Sequence, residues 1–154
     1  MKDAAATNIY FDSSLLVKLY HSEPGSRDAT QLALSNRSIS LSFIAEMELK
    51  NTLHALCGRK VFSPDKLLDA LRCIEQDMEN GRLQKLQVDP NAVEQLALKL
   101  SKEFTVSILS RSLDILHVAS ALVAREARFA TCDQRQAKLA EAAGLDVEFL
   151  YTPL

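Results

Sequence analysis

A chain of 154 residues has room for one hydrophobic core and not for two independent ones. Hydrophobic residues make up 47% of it and charged ones 25%, an ordinary globular profile rather than a disordered one, and no apolar run approaches the ~18 residues of a membrane-spanning helix. A net charge of −2 and a pI near 5.9 exclude a globally basic coat for nucleic acid, so any polyanionic ligand needs cations gathered on one face.

In chain order, Met1 to Ala6 lacks the apolar centre of a secretory signal, and Cys57, Cys73 and Cys132 are odd in number without metal-type spacing. Both point to a cytoplasmic protein with reduced thiols. Thr7 to Phe11 reads as a short strand, and Asp12-Ser13-Ser14 ends it and caps a helix carrying Leu15, Leu16, Leu19 and Tyr20 up to the break at His21 to Gly25. An acid leaving a strand and opening a helix is either a cap or a ligand position at the carboxyl edge of an α/β sheet. A helix over Ser26 to Leu34 and a strand over Ser38 to Ser42 follow. Phe43 to Cys57 is then helical, with Met47, Leu49, Leu53, Leu56 and Cys57 on the packed side. Glu46 and Glu48 lie two apart on it and point in nearly opposite directions, so only one can join a given site.

Ser63-Pro64 starts a helix through Leu67, Leu68, Leu71 and Ile74, and the acids Glu75, Asp77 and Glu79 after it read as a solvated face. Leu83 to Val88 reads as a strand and Pro90 to Phe104 as an amphipathic helix with Val93, Leu96, Ala97 and Leu100 inward. Arg111 to Leu122 reads as a core helix capped at Ser110 or Ser112, apolar through Leu113, Ile115, Leu116, Val118, Ala119 and Leu122. Asp114 is out of place there, because a buried acid is costly without a partner or a cation, and His117 shares its face. Arg128 to Cys132 reads as a strand, Asp133 to Arg135 as the turn into a helix over Gln136 to Ala143, Gly144 as its stop, and Asp146 to Tyr151 as a last strand near the sheet edge.

Strands alternating with helices predict one domain over 1–154 with a mostly parallel sheet between helical layers. Right-handed crossovers bring the acids at the strand ends together, so Asp12 and Asp133 share a cleft that Asp114 and one of Glu46 or Glu48 can complete. Two carboxylates about 4 Å apart repel by roughly 4 kcal/mol at an effective dielectric of about 20, and a divalent cation removes that penalty. Oxygen-only ligands select magnesium or manganese, whose usual chemistry in carboxylate sites is phosphoryl transfer.

The segments Tyr10-Phe11-Asp12-Ser13-Ser14-Leu15-Leu16, Glu48-Leu49-Lys50-Asn51-Thr52-Leu53, Leu113-Asp114-Ile115-Leu116-His117-Val118-Ala119 and Thr131-Cys132-Asp133 resemble, in order and separation, the four acid motifs of PIN-domain nucleases, particularly VapC-type toxin ribonucleases. The resemblance implies an α/β/α sandwich and a Mg²⁺- or Mn²⁺-dependent endoribonuclease of the hydrolase class, working as a homodimer and neutralised by a small antitoxin protein. It assigns Asp12, Glu48, Asp114 and Asp133 as metal and catalytic ligands, favours Glu48 over Glu46, and gives Ser14 and Thr131 supporting positions. His117 is expected to bond the backbone at the edge of the core, while His21 and His54 show no partner spacing. Cations for RNA would come from Lys18, Lys50, Arg111, Arg125, Arg128 and Arg135. Two other classes compete: a non-catalytic PIN-like module acting through a protein partner, and a receiver-type phosphoacceptor, which wants adjacent acids where Asp12 is followed by serines.

Overall fold

The computed structural model describes residues 7–152; the stretch 1–6, read above for its lack of a signal sequence, lies outside them. Five short strands, β1 (Ile9–Phe11), β2 (Ile39–Leu41), β3 (Leu83–Lys85), β4 (Arg128–Thr131) and β5 (Asp146–Phe149), form one sheet in the order β3-β2-β1-β4-β5. Every neighbouring pair is parallel, with Tyr10 opposite Ser40 on one side and Phe129 on the other. Seven helices connect them: α1 (Ser13–Tyr20), α2 (Ser26–Leu34), α3 (Phe43–Gly58), α4 (Pro64–Glu79), α5 (Pro90–Ile108), α6 (Ser112–Val123) and α7 (Gln134–Ala142).

The two-residue period of a strand divides the core. Ile9 and Phe11 face one cluster with Leu15, Leu49, Leu53 and Ile74 from α1, α3 and α4, while Tyr10 faces the other with Leu100, Val118 and Leu139 from α5, α6 and α7. The result is the expected α/β/α sandwich with both sheet faces covered. Tyr10 stacks on Phe129 of the adjacent strand at 5.0 Å between ring centroids, a pairing worth about 0.5–1.5 kcal/mol beyond its buried area. No helix among the described residues is long and apolar enough to cross a membrane.

Several boundaries differ from the local reading. β3 stops at Lys85, three residues short of Val88, and Leu83 is its only buried side chain. α5 runs on to Ile108 and ends where Leu109 turns left-handed at φ 57°. α7 starts at Gln134 because the Asp133 carboxylate accepts the amides of Arg135 and Gln136, and it is followed by Gly144 at φ 98°, a conformation that favours glycine. Neither serine caps α6. Its cap is Arg111, whose amide donates to the Asp114 carboxylate. Met47 and Leu113, expected inward, are exposed at 44% and 40%, since the core side of each helix is already filled by Leu49 or Ile115. Asp77, read as a solvated acid, accepts a hydrogen bond from the Tyr20 hydroxyl at 2.7 Å, and Glu75 pairs with Lys50.

Candidate metal centre

All strands being parallel, β1, β2 and β4 end on one edge, and the residues just past them, Asp12, Ser42 and Asp133, are the N-caps of α1, α3 and α7. The chain leaves β1 toward β2 on one side and returns as β4 on the other, so this edge is the switch point where an open α/β sheet leaves a crevice. A cavity of about 240 Å³ lies there, and Asp12, Glu48, Asp114 and Asp133 all line it, with Arg111 and His117. The four predicted acids therefore meet, from four elements. Glu46 does not join them: its carboxylate is held by Lys50 and Lys85 at 2.8 Å each, and these two cations keep it below the usual carboxylate range despite the opposing effect of burial.

Each acid is held differently. Asp12 is buried, and its carboxylate accepts from Ser14 Oγ at 2.5 Å, Thr131 Oγ1 at 2.6 Å and the Leu15 amide at 3.4 Å. Burial pushes its pKa up, against the opposing influence of His117 and the two hydroxyls. Ser14 also accepts from the Cys132 amide and Thr131 from the Asp133 amide, so these hydroxyls tie the end of β1 to the end of β4. Glu48 accepts from His117 Nε2 at 2.5 Å, and that hydrogen bond holds it below the usual range. Asp114 takes both arms of the Arg111 guanidinium at 3.0 and 3.2 Å, and the same Nη2 reaches Asp133 at 3.0 Å.

His117 corrects the expectation of a backbone partner. Its Nδ1 lies 2.7 Å from the Tyr10 hydroxyl, which in turn lies 2.7 Å from Ser42 Oγ, and all three side chains are buried. One proton arrangement satisfies the whole chain: Ser42 donates to Tyr10, Tyr10 to His117 Nδ1, and His117 Nε2–H to Glu48, while Ser42 accepts the Ala45 amide. Tyr10 carried no local signal of this role, because its partners lie 32 and 107 residues away. Ser42 carried a partial one, as the N-cap of the helix that bears Glu48.

The donor set suits a hard divalent cation, being four carboxylates with supporting hydroxyls and no thiolate. As the side chains stand, no three His, Cys, Asp or Glu groups among the described residues converge on one point. The Arg111 guanidinium occupies the space between Asp114 and Asp133 and acts as an internal counter-ion there. Asp12 has only uncharged hydrogen-bond donors around it, so its buried charge is the one a cation would relieve most.

Comparisons with known proteins agree with this architecture. No curated protein matches the chain in sequence. Among solved structures, VapBC2 from Rickettsia felis, bound to a DNA fragment from its promoter, superposes with a TM-score of 0.64 at 16% identity, over 94% of this chain and 99% of that one. FitAcB from Neisseria gonorrhoeae gives 0.61 at 17% identity, over 92% and 96%. A domain of a functionally unknown protein from Methanocaldococcus jannaschii gives 0.57 at 18%, over 97% and 94%. At these identities the likeness shows the fold alone. The PIN domain is matched in sequence over residues 9–142, and the chain belongs to the PIN-domain family.

Proposed function

We propose that this single-domain protein is a metal-dependent endoribonuclease that hydrolyses RNA phosphodiesters as the toxin of a toxin–antitoxin pair. The observation that carries the reading is the convergence of Asp12, Glu48, Asp114 and Asp133 on one cavity at the switch point of the sheet, with Asp12 buried among uncharged donors. Membership in the PIN-domain family and the likeness to VapBC2 and FitAcB support the nuclease and toxin parts. A homodimer, a small antitoxin partner and a cytoplasmic setting belong to the same reading, the last supported by three unpaired cysteines.

Mg²⁺ or Mn²⁺, when bound, offsets the charge of the acids, polarises a phosphate oxygen and lowers the pKa of water. The chain's own residues set the stage for that chemistry. Ser14 and Thr131 orient both oxygens of Asp12, the amides at the start of α7 hold one oxygen of Asp133, and His117 fixes Glu48. Glu48, partly exposed and held ionised by its His117 hydrogen bond, completes the acid set and would hold a water molecule in the cavity by accepting its hydrogen bond. Moving Arg111 off Asp114 and Asp133 would free further acceptor sites on both carboxylates.

The test is cleavage of an RNA pool in Mn²⁺ or Mg²⁺. The expected result is products with 5′-phosphate ends, loss of activity with a chelator, and a fall of at least about 10²-fold for Asp12→Ala or Asp114→Ala. Unchanged cleavage in those variants overturns the assignment. The alternative reading, a non-catalytic module acting through a protein partner, draws on the Arg111 pairing, which already offsets part of the acidic charge. A metal titration that leaves the melting temperature unmoved, with no RNA cleaved, selects it.

A further inference from the structure

The cations named from sequence as possible RNA contacts are mostly committed elsewhere. Lys18 is buried against Glu23 and the Pro24 carbonyl, Lys50 bridges Glu46 and Glu75, and Arg128 is held by Asn36 and Glu148. Arg125 follows the far end of α6 from Arg111. Arg135 remains, and the fold adds Lys138, three residues on and on the same face of α7. Both are exposed, and among the described residues neither forms an ion pair.

These two side chains line a second cavity, of about 360 Å³, with Ile108, Arg111, Asp133 and Gln134. Arg111 and Asp133 line the acidic cavity as well, so the two spaces adjoin and Arg111 is the wall between them. One side of that wall gathers carboxylates; the other carries, beside Asp133, the two cations Arg135 and Lys138, which no acid among the described residues pairs with. An RNA strand is a run of phosphates, so its scissile phosphate and the neighbouring ones must be held in different environments. A polar groove carrying two spare cations beside the acids suits the neighbours.

Resting on the nuclease reading, we propose that the Arg135–Lys138 groove is the subsite for the phosphodiester backbone of single-stranded RNA flanking the bond held at the acidic cavity. Its cations contact phosphates and carry no base preference, so they position the strand and leave sequence choice to other contacts. Arg111 borders both spaces, and once displaced from Asp114 and Asp133 its guanidinium adds a third donor to the groove.

The experiment measures fluorescence anisotropy of a labelled single-stranded RNA oligonucleotide in Mg²⁺, with Asp12→Asn as the parent so that the RNA stays intact. Arg135→Ala/Lys138→Ala is added to that parent and compared with Arg27→Ala/Lys99→Ala, a control that removes equal charge from exposed residues lining neither cavity. The expected result is a roughly tenfold loss of affinity for the groove pair alone, with the slope of log K against log salt reduced by about 1.4 for two lost single-strand contacts. Metal affinity by calorimetry stays at the parent's value. If the groove pair and the control pair behave alike while the wild-type protein cleaves RNA, the subsite is refuted and the nuclease reading stands. If the wild-type cleaves no RNA and the parent binds none, both fall together.

Discussion

A carboxylate withdrawn from water costs stability unless a cation or enough hydrogen bonds compensate it, and Asp12 has three hydrogen bonds and no cation. Its pKa is therefore raised above the unfolded value of about 4, and the sign of the consequence follows. The folded state holds the proton more tightly, so Asp12's contribution is full below about pH 4 and is lost as pH rises through the raised value. Glu48 works in the opposite sense: its depressed pKa contributes stability above about pH 4 that is lost as pH falls through the lower folded value. Urea unfolding in chelator from about pH 4 to 8 should show wild type losing ground to Asp12→Asn as pH rises, with the gap closing on addition of Mn²⁺. A constant gap across that range would remove burial as the cause. Arg111 is the second residue-scale case. Arg111→Ala should lower metal-free stability by about 1–2 kcal/mol, a value discounted for the exposure of the guanidinium, and raise Mn²⁺ affinity several-fold. Unaltered affinity in calorimetry would show that Arg111 does not compete for the site.

Elements place these residues through their ends. α5 passes into α6 through Leu109, a left-handed residue at φ 57° that is 70% exposed, so its side chain gains little from packing while its backbone is strained. Leu109→Asn should stabilise the protein by about 0.5–1 kcal/mol in thermal unfolding, and a loss would mean that Leu109 packs more than its exposure suggests. The joint between β1, α3 and α6 is the buried chain from Ser42 through Tyr10 and His117 to Glu48. Tyr10→Phe keeps the stacking on Phe129 and leaves His117 Nδ1 without its donor, so it should cost about 1–3 kcal/mol. A cost near zero would mean that water replaces the hydroxyl.

At the scale of the whole molecule, a ligand that binds only the folded state stabilises it in proportion to the logarithm of its concentration over Kd. Mn²⁺ at one hundred times its Kd should add about 2.7 kcal/mol, a rise of roughly 5–10 °C in melting temperature for a domain of this size. Asp12→Asn combined with Asp114→Asn should abolish the rise, and a rise that survives would place the metal elsewhere. The sandwich itself was legible because strand and helix periods are local: Ile9 and Phe11 on one face with Tyr10 on the other is a pattern any short strand displays. Asp12 and Asp133 were legible for the same reason, since an acid between a strand and a helix serves as a cap whatever else it does. Lys138, the Ser42 end of the buried chain and the exposure of Met47 and Leu113 were not, because helical spacing alone does not say which neighbour fills a face or which acid reaches a cation. By itself the amino-acid sequence determined the elements and their capping acids, features encoded within a few residues of one another, and the resemblance to a nuclease family, which rests on four short segments in order along the chain. Only the tertiary structure decided that Thr131 orients Asp12 across 119 residues, that His117 belongs to Glu48, and that Arg111 reaches Asp133 across 22 residues and borders the groove of Arg135 and Lys138. Those pairings depend on how the layers pack, and packing is a property of the whole chain.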